Sequence, residues 1–260
     1  LAMHSALIRN DDLILAEATK PLGTQKAPAV TKNALAHLNS GKAAYAQKDY
    51  DRAIAELDRA LSINRNLAEA YFYRGSAYGA KGDYDRAIAD YNAALRIDPN
   101  FANAYNNRGI AYYNKKDYDR AVADYTAALR IDPNNANAKN NLAITYNNRG
   151  IAYKNKGDYD RAIADYTAAL GIDPNFANAY YNRGDAYYNK KDYDRAVADY
   201  SAALRINPNN ANAYYNRGIA YYNKGDYDRA IADYNAALRI NPNDATAKSG
   251  LELARKARGY

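Results

Sequence analysis

The side chains in this sequence that could do chemistry are carboxamides, phenols, guanidinium groups and carboxylates, a set better suited to holding than to bond-making. Cysteine is absent and histidine occurs at His4 and His37. Thiol nucleophiles, disulfides, thiolate zinc sites and histidine proton relays therefore have almost no raw material. No glycine-rich phosphate loop, nucleophile elbow or metal-spaced histidine pair occurs. Triplets such as Asp117-Tyr118-Asp119 suggest calcium, yet the glycine and terminal glutamate of a calcium loop are missing. Carboxylates at helix starts explain them. The expected protein is noncatalytic, with no cofactor and no metal.

Composition narrows the class further. Among 260 residues there are 29 tyrosines against 3 phenylalanines and no tryptophan, and such reliance on one aromatic type points to a copied unit. The formal net charge is +7, from 36 basic and 29 acidic residues, but the two signs are interspersed, so the excess argues little for an anionic partner. No apolar run approaches the roughly 18 residues a membrane-spanning helix needs, and a soluble protein is expected. Nothing separates a cytoplasmic from an exported location.

The copied unit has a fixed period. Tyr-Asp-Arg-Ala begins at Tyr50, Tyr84, Tyr118, Tyr159, Tyr193 and Tyr227, and Pro99, Pro133, Pro174, Pro208 and Pro242 keep the same step. The step is 34 residues except for one of 41. Within the unit 102–135, Ala104, Tyr105, Ala111 and Tyr112 recur at helical spacing, with Gly109 where a neighbouring backbone could approach closely. This is helix A. After the polar stretch 114–117, Ala121, Val122, Tyr125, Ala128 and Leu129 follow the i, i+3, i+4, i+7 pattern of helix B, with Asp117 and Asp119 at its positive end. Neither stripe can be hidden alone, so adjacent pairs must stack.

These residues resemble the tetratricopeptide repeat. In the unit 68–101, Tyr71, Gly75, Tyr78, Ala87, Tyr91, Ala94 and Pro99 stand at that family's large, small and proline positions. The match recurs in six units; in the first, Arg65 replaces the proline and His37 the first aromatic. One departure is systematic. Arg74, Arg108, Arg149, Arg183 and Arg217 occupy the family's usual leucine position, and we pair them with Asp90, Asp124, Asp165, Asp199 and Asp233 of helix B. The resemblance implies an all-α, right-handed superhelical solenoid of antiparallel helix pairs. Repeats 1–3 would span 34–135, repeats 4–6 would span 136–243, and a polar capping helix 244–260. Residues 1–30 read as a loose leader in which Leu13-Ile14-Leu15 could form a short docking helix; a start at Leu1 fits a trimmed end or a removed export signal.

The 41-residue step holds seven extra residues, best placed at 139–145. Seven residues are close to two helical turns and drift the apolar stripe by only about 20°. The sequence therefore predicts one long helix over about 136–155, with a bend or offset of the superhelix there. Leu142 and Ile144 would be left uncovered, and a homodimer could form through that joint. The alternative is a helix extension without consequence.

In the resembled family helices A line a concave surface, and partner contacts come from helix-A positions outside the packing signature. Here those positions give an asparagine row, Asn39, Asn107, Asn148, Asn182 and Asn216, interrupted by Tyr73. A second row, Asn103, Asn178 and Asn212, lies one turn earlier, and Tyr113, Tyr181, Tyr188, Tyr215 and Tyr222 lie between. Carboxamides both donate and accept, so such a row could pair with the main chain of an extended peptide. The alternative is a merely solvated face. The lysine four residues before an asparagine that clamps Hsp70-type or Hsp90-type carboxylate tails is missing: the pairs are Leu38 and Lys42, Phe72 and Ser76, Asn106 and Ile110. The expected partner is a protein or peptide segment. Self-association is a second class; single-stranded nucleic acid is a weaker third, because Asp185 falls in the presumed groove.

Overall fold

Each Tyr-Asp-Arg-Ala segment opens a helix because the aspartate before it caps it. Asp49, Asp83, Asp117, Asp158, Asp192 and Asp226 each accept a hydrogen bond from the backbone N–H three residues on. The computed structural model describes residues 29–259, side chains from residue 32. Among these it has thirteen helices: α1 (Ala29–Ala46), α2 (Tyr50–Ile63), α3 (Ala68–Ala80), α4 (Tyr84–Ile97), α5 (Ala102–Asn114), α6 (Tyr118–Ile131), α7 (Ala136–Asn155), α8 (Tyr159–Ile172), α9 (Ala177–Asn189), α10 (Tyr193–Ile206), α11 (Ala211–Asn223), α12 (Tyr227–Ile240) and α13 (Ala245–Arg258). The leader 1–30 and its short docking helix lie almost wholly outside the described residues.

The turn from helix A to helix B requires a left-handed residue. Gly82, Gly157 and Gly225 take it at φ 78–82°, while Lys48, Lys116 and Lys191 take it at φ 60–61° in the alternate repeats. Lysine there carries a Cβ penalty that glycine avoids.

The chain falls into two units that divide between Thr145 and Tyr146, inside α7 rather than at its start. In the first, α1 packs on α2, α3 on α4, and α5 on α6. In the second, α9 packs on α10, α11 on α12, and α13 closes on α12; the latter half of α7 meets α8 where Gly150 faces Tyr166. Gly41 of the first repeat admits Leu57, and Gly75, Gly109, Gly150, Gly184 and Gly218 admit the tyrosine of their own helix B. A Cβ on Gly150 would lie 2.7 Å from the Tyr166 ring, and one on Gly109 would lie 2.8 Å from that of Tyr125. Tyr125, Tyr166 and Tyr200 are buried to 1 % exposure or less.

The arginine at the leucine position is an inter-helix fork. Arg108 Nε and Nη2 donate to both oxygens of Asp124 at 2.8 and 2.6 Å, and Arg74, Arg149, Arg183 and Arg217 repeat this with Asp90, Asp165, Asp199 and Asp233. The free arm reaches the preceding repeat: Asp58 for Arg74, Asn92 for Arg108, Thr167 for Arg183 and Ser201 for Arg217, at 2.5–3.0 Å. Stems and forks lie against Tyr71, Tyr105, Tyr180 and Tyr214, with guanidinium carbons 5.3–5.6 Å from the ring centres. Burial pushes the Asp90 and Asp124 carboxyls up, against the lowering by their arginines.

The long helix is found over Ala136–Asn155. One expectation is corrected. Leu142 and Ile144 are 7 % and 5 % exposed, so they are covered by the chain itself and offer no joint to another copy. The reason is that the first half of α7 continues the 34-residue step: Ala138 and Asn141 follow Ala104 and Asn107, and Asn141 donates to Asn106 of α5 at 3.3 Å.

The caps make stability pH-dependent. Hydrogen bonds from Arg120 and Arg195 hold the Asp117 and Asp192 carboxyls below their ordinary range, and Thr246 does so for Asp244. A carboxyl lowered by folding contributes stability that is complete above its unfolded value, about 4, and is lost as pH falls through the folded one. Asp90 and Asp124, being raised, pull the other way. With the caps the larger group, the urea midpoint is expected to fall between about pH 5 and pH 2, and a midpoint that rises over that interval would contradict it.

Candidate functional site

The helix-A residues that could meet a partner form columns, one member per repeat, and the structure ties neighbouring members together. Asn141 donates to Asn106, Asn182 to Asn147 at 3.0 Å, and Asn216 to the Tyr181 hydroxyl at 2.9 Å. All three bonds span 35 residues. A second tie spans 31: Asn107 reaches Ser76 at 3.4 Å and Asn216 reaches Asp185 at 3.0 Å. The asparagine row therefore holds repeats in register before it meets anything else.

In the first unit this makes a buried polar chain. Asn106 and Asn141 are fully buried and Asn107 is 8 % exposed; Asn106 donates to Asn107, which donates to Ser76, which also receives the Tyr91 hydroxyl at 3.2 Å. Asn107 is thus turned into the fold. Asn39 is exposed, and Asn103 and Tyr113 are half-buried, with the Tyr113 ring on Tyr118 at 5.6 Å.

In the second unit the row is more open. Asn148, Asn178, Asn182 and Asn216 are half-buried and Asn212 is exposed. Tyr181, Tyr188, Tyr215 and Tyr222 are half-buried, each ring packed on a helix-B tyrosine at 5.4–5.8 Å. Asn216 spends both N–H bonds on Tyr181 and Asp185, and Asn223 spends its own on Tyr188 and the Ile219 carbonyl. Asn189 donates to the Asp185 carbonyl at 2.8 Å. Carboxylate and backbone carbonyls cannot donate, so these partners fix which end of each amide is nitrogen. The oxygen ends of Asn182, Asn189, Asn216 and Asn223 accept nothing among the described residues.

Asp185 is the residue that sequence reasoning passed over as a site. Its column reads Lys42, Ser76, Ile110, Ile151, Asp185, Ile219, and it faces the helix-B tyrosine fifteen residues on. Tyr200 donates to Asp185 Oδ1 at 2.8 Å, as Tyr91 does to Ser76. Where the column holds isoleucine, the Tyr125 and Tyr166 hydroxyls are buried without a hydrogen bond of ordinary geometry. Lys154 of α7 reaches Asp185 Oδ2 at 3.0 Å. Asp185, Tyr188, Asn189, Tyr200, Asn216 and Ile219 line a cavity of about 240 Å³ between α9, α10 and α11. Burial, then the nearby Asp185 charge, pushes the Tyr200 and Tyr181 phenols far up, so both stay protonated, Tyr200 donating to Asp185 and Tyr181 accepting from Asn216. The available signal was a carboxylate among Ile110, Ile151 and Ile219 in the later repeats of the column.

No helix among the described residues is long and apolar enough to cross a membrane. A family profile described as "TPR repeat" matches residues 41–82, 75–116, 150–191 and 184–225, and two described as "Tetratricopeptide repeat" match 102–135 with 211–244, and 124–164. No curated protein matches. Among solved structures, the chain is similar to YrrB, a TPR protein with an unusual peptide-binding site: 24 % identity, 75 % of this chain and 97 % of that one, TM-score 0.55. It is also similar to MamA, at 27 % identity, 68 % of this chain and 93 % of that one, TM-score 0.53.

Proposed function

We infer from its place in the tetratricopeptide repeat family, to which this chain belongs, that it is a noncatalytic scaffold that holds an extended peptide along the helix-A face of its second unit. Members of the family are in general protein-interaction scaffolds. The finer reading rests on one observation: amide nitrogens are spent inside the fold while the oxygens of Asn182, Asn189 and Asn216 are left over. Fixed acceptors of that kind suit the N–H groups of an extended main chain, which present a donor whatever the side chains. Because intramolecular bonds hold each amide, little rotamer freedom is lost on binding. Tyr188, Tyr215 and Tyr222 supply flat contact area beside them.

The amides therefore act as acceptors, a narrower role than the two-way pairing expected of a free carboxamide. Two neutral hydrogen bonds at about 0.5–1.5 kcal/mol each imply about a tenfold loss of affinity when both are removed. Binding of an array of unrelated extended peptides to the protein and to the Asn182→Ala, Asn216→Ala double variant tests this, with far-ultraviolet circular dichroism confirming that the helices persist. Unchanged retention across the array would remove the asparagine row from the function.

A further inference from the structure

We propose that the cavity between α9, α10 and α11 is a subsite for one cationic side chain, arginine or lysine, of the bound peptide; this rests on the peptide-binding reading above. At about 240 Å³ the cavity falls below the roughly 300–1,000 Å³ of pockets that enclose whole small molecules. It fits a single side chain. Its lining is rich in acceptors. Asp185 brings a carboxylate whose side chain is 18 % exposed, and Asn216 has no N–H left to offer. Asn189 commits its nitrogen to a backbone carbonyl, and Tyr200 gives its proton to Asp185.

The count of bonds leaves room. A carboxylate offers about four acceptor positions, and Asp185 uses three, on Tyr200, Asn216 and Lys154. Lys154 belongs to α7 and sits on Oδ2, and it is not among the residues that line the cavity. An anionic guest would meet the Asp185 charge and the amide oxygens with no compensating donor beyond Tyr188, whose hydroxyl accepts from Asn223. A guanidinium or ammonium meets acceptors throughout, beside the Tyr188 ring. Ile219 supplies the apolar wall for the stem of such a side chain.

The test begins with an mRNA-display selection of random dodecapeptides on the whole protein. The best binder is then compared with its basic-residue→norleucine and basic-residue→glutamate forms, on wild type and on Asp185→Ile. That substitution installs the residue Ile110, Ile151 and Ile219 place in the same column, so the fold has three precedents for it. A fixed arginine or lysine in the selected peptides is expected, with about a tenfold or greater loss on norleucine replacement in wild type. Asp185→Ile should abolish that discrimination, so that it binds the basic and norleucine forms alike. Binders that carry no fixed basic residue, or equal discrimination by Asp185→Ile, overturn the subsite and leave peptide binding intact. Recovery of no binder overturns both.

Discussion

Arg108→Ala is expected to destabilise the first unit by about 3–5 kcal/mol, because it leaves the Asp124 carboxylate buried without its partner. The side chains are 18 % and 7 % exposed, and both carboxylate oxygens are used by the fork. The same truncation frees Asn92 of the preceding repeat, so two interfaces loosen at once. Surface pairs offer the contrast. Lys115 and Asp85 join neighbouring repeats too, but Asp85 is 81 % exposed, and such a pair is worth about 0–1 kcal/mol. Replacing Arg108 and Asp124 together by leucine should recover most of the loss, since an apolar pair of similar volume is often no worse than a buried ion pair. Urea unfolding with hydrogen exchange on α5 and α6 reads the difference. A single-variant loss under about 1 kcal/mol would mean that water relieves the carboxylate and that the fork is ornamental.

The second large effect separates a ring from its hydroxyl. Tyr166→Ala removes a fully buried ring that fills the gap over Gly150, and should cost about 3–5 kcal/mol. Tyr166→Phe should be neutral or stabilising, because the hydroxyl it deletes has no partner and is costly to bury. Tyr200→Phe should behave in the opposite sense, since that hydroxyl donates to Asp185. Thermal midpoints of the three variants decide the matter, and a Tyr166→Phe protein clearly weaker than wild type would show that its hydroxyl is satisfied.

How far the sequence could be read follows from the range of each interaction. Helix pairs were legible because the stripe and the capping aspartate lie within one turn of each other. The Arg108–Asp124 fork was legible as well, because a fixed spacing of sixteen residues recurs beside complementary charges. Its second arm was not singled out, although the positions it reaches, Asp58, Asn92, Thr167 and Ser201, are all hydrogen-bonding residues. The direction of the asparagine bonds could not be read. Whether Asn216 offers nitrogen or oxygen depends on Asp185 and Tyr181, 31 and 35 residues away, and spacing alone carries no sign. Leu142 and Ile144 were misplaced for a related reason. An insertion of two turns fits both the step of 34 and the step of 41, so α7 serves two registers, and its first half is covered where an extension would have been bare.

The doubled register of α7 also bears on how such a chain finds its native arrangement. Hairpins this alike could dock one place too early or too late with little loss of contact, the hazard of any tandem array. A twenty-residue rod that begins one hairpin's neighbour and ends as part of another fits at a single place in the order. It works as a phase mark: a slipped chain would part Asn141 from Asn106 and forfeit the buried bond between them.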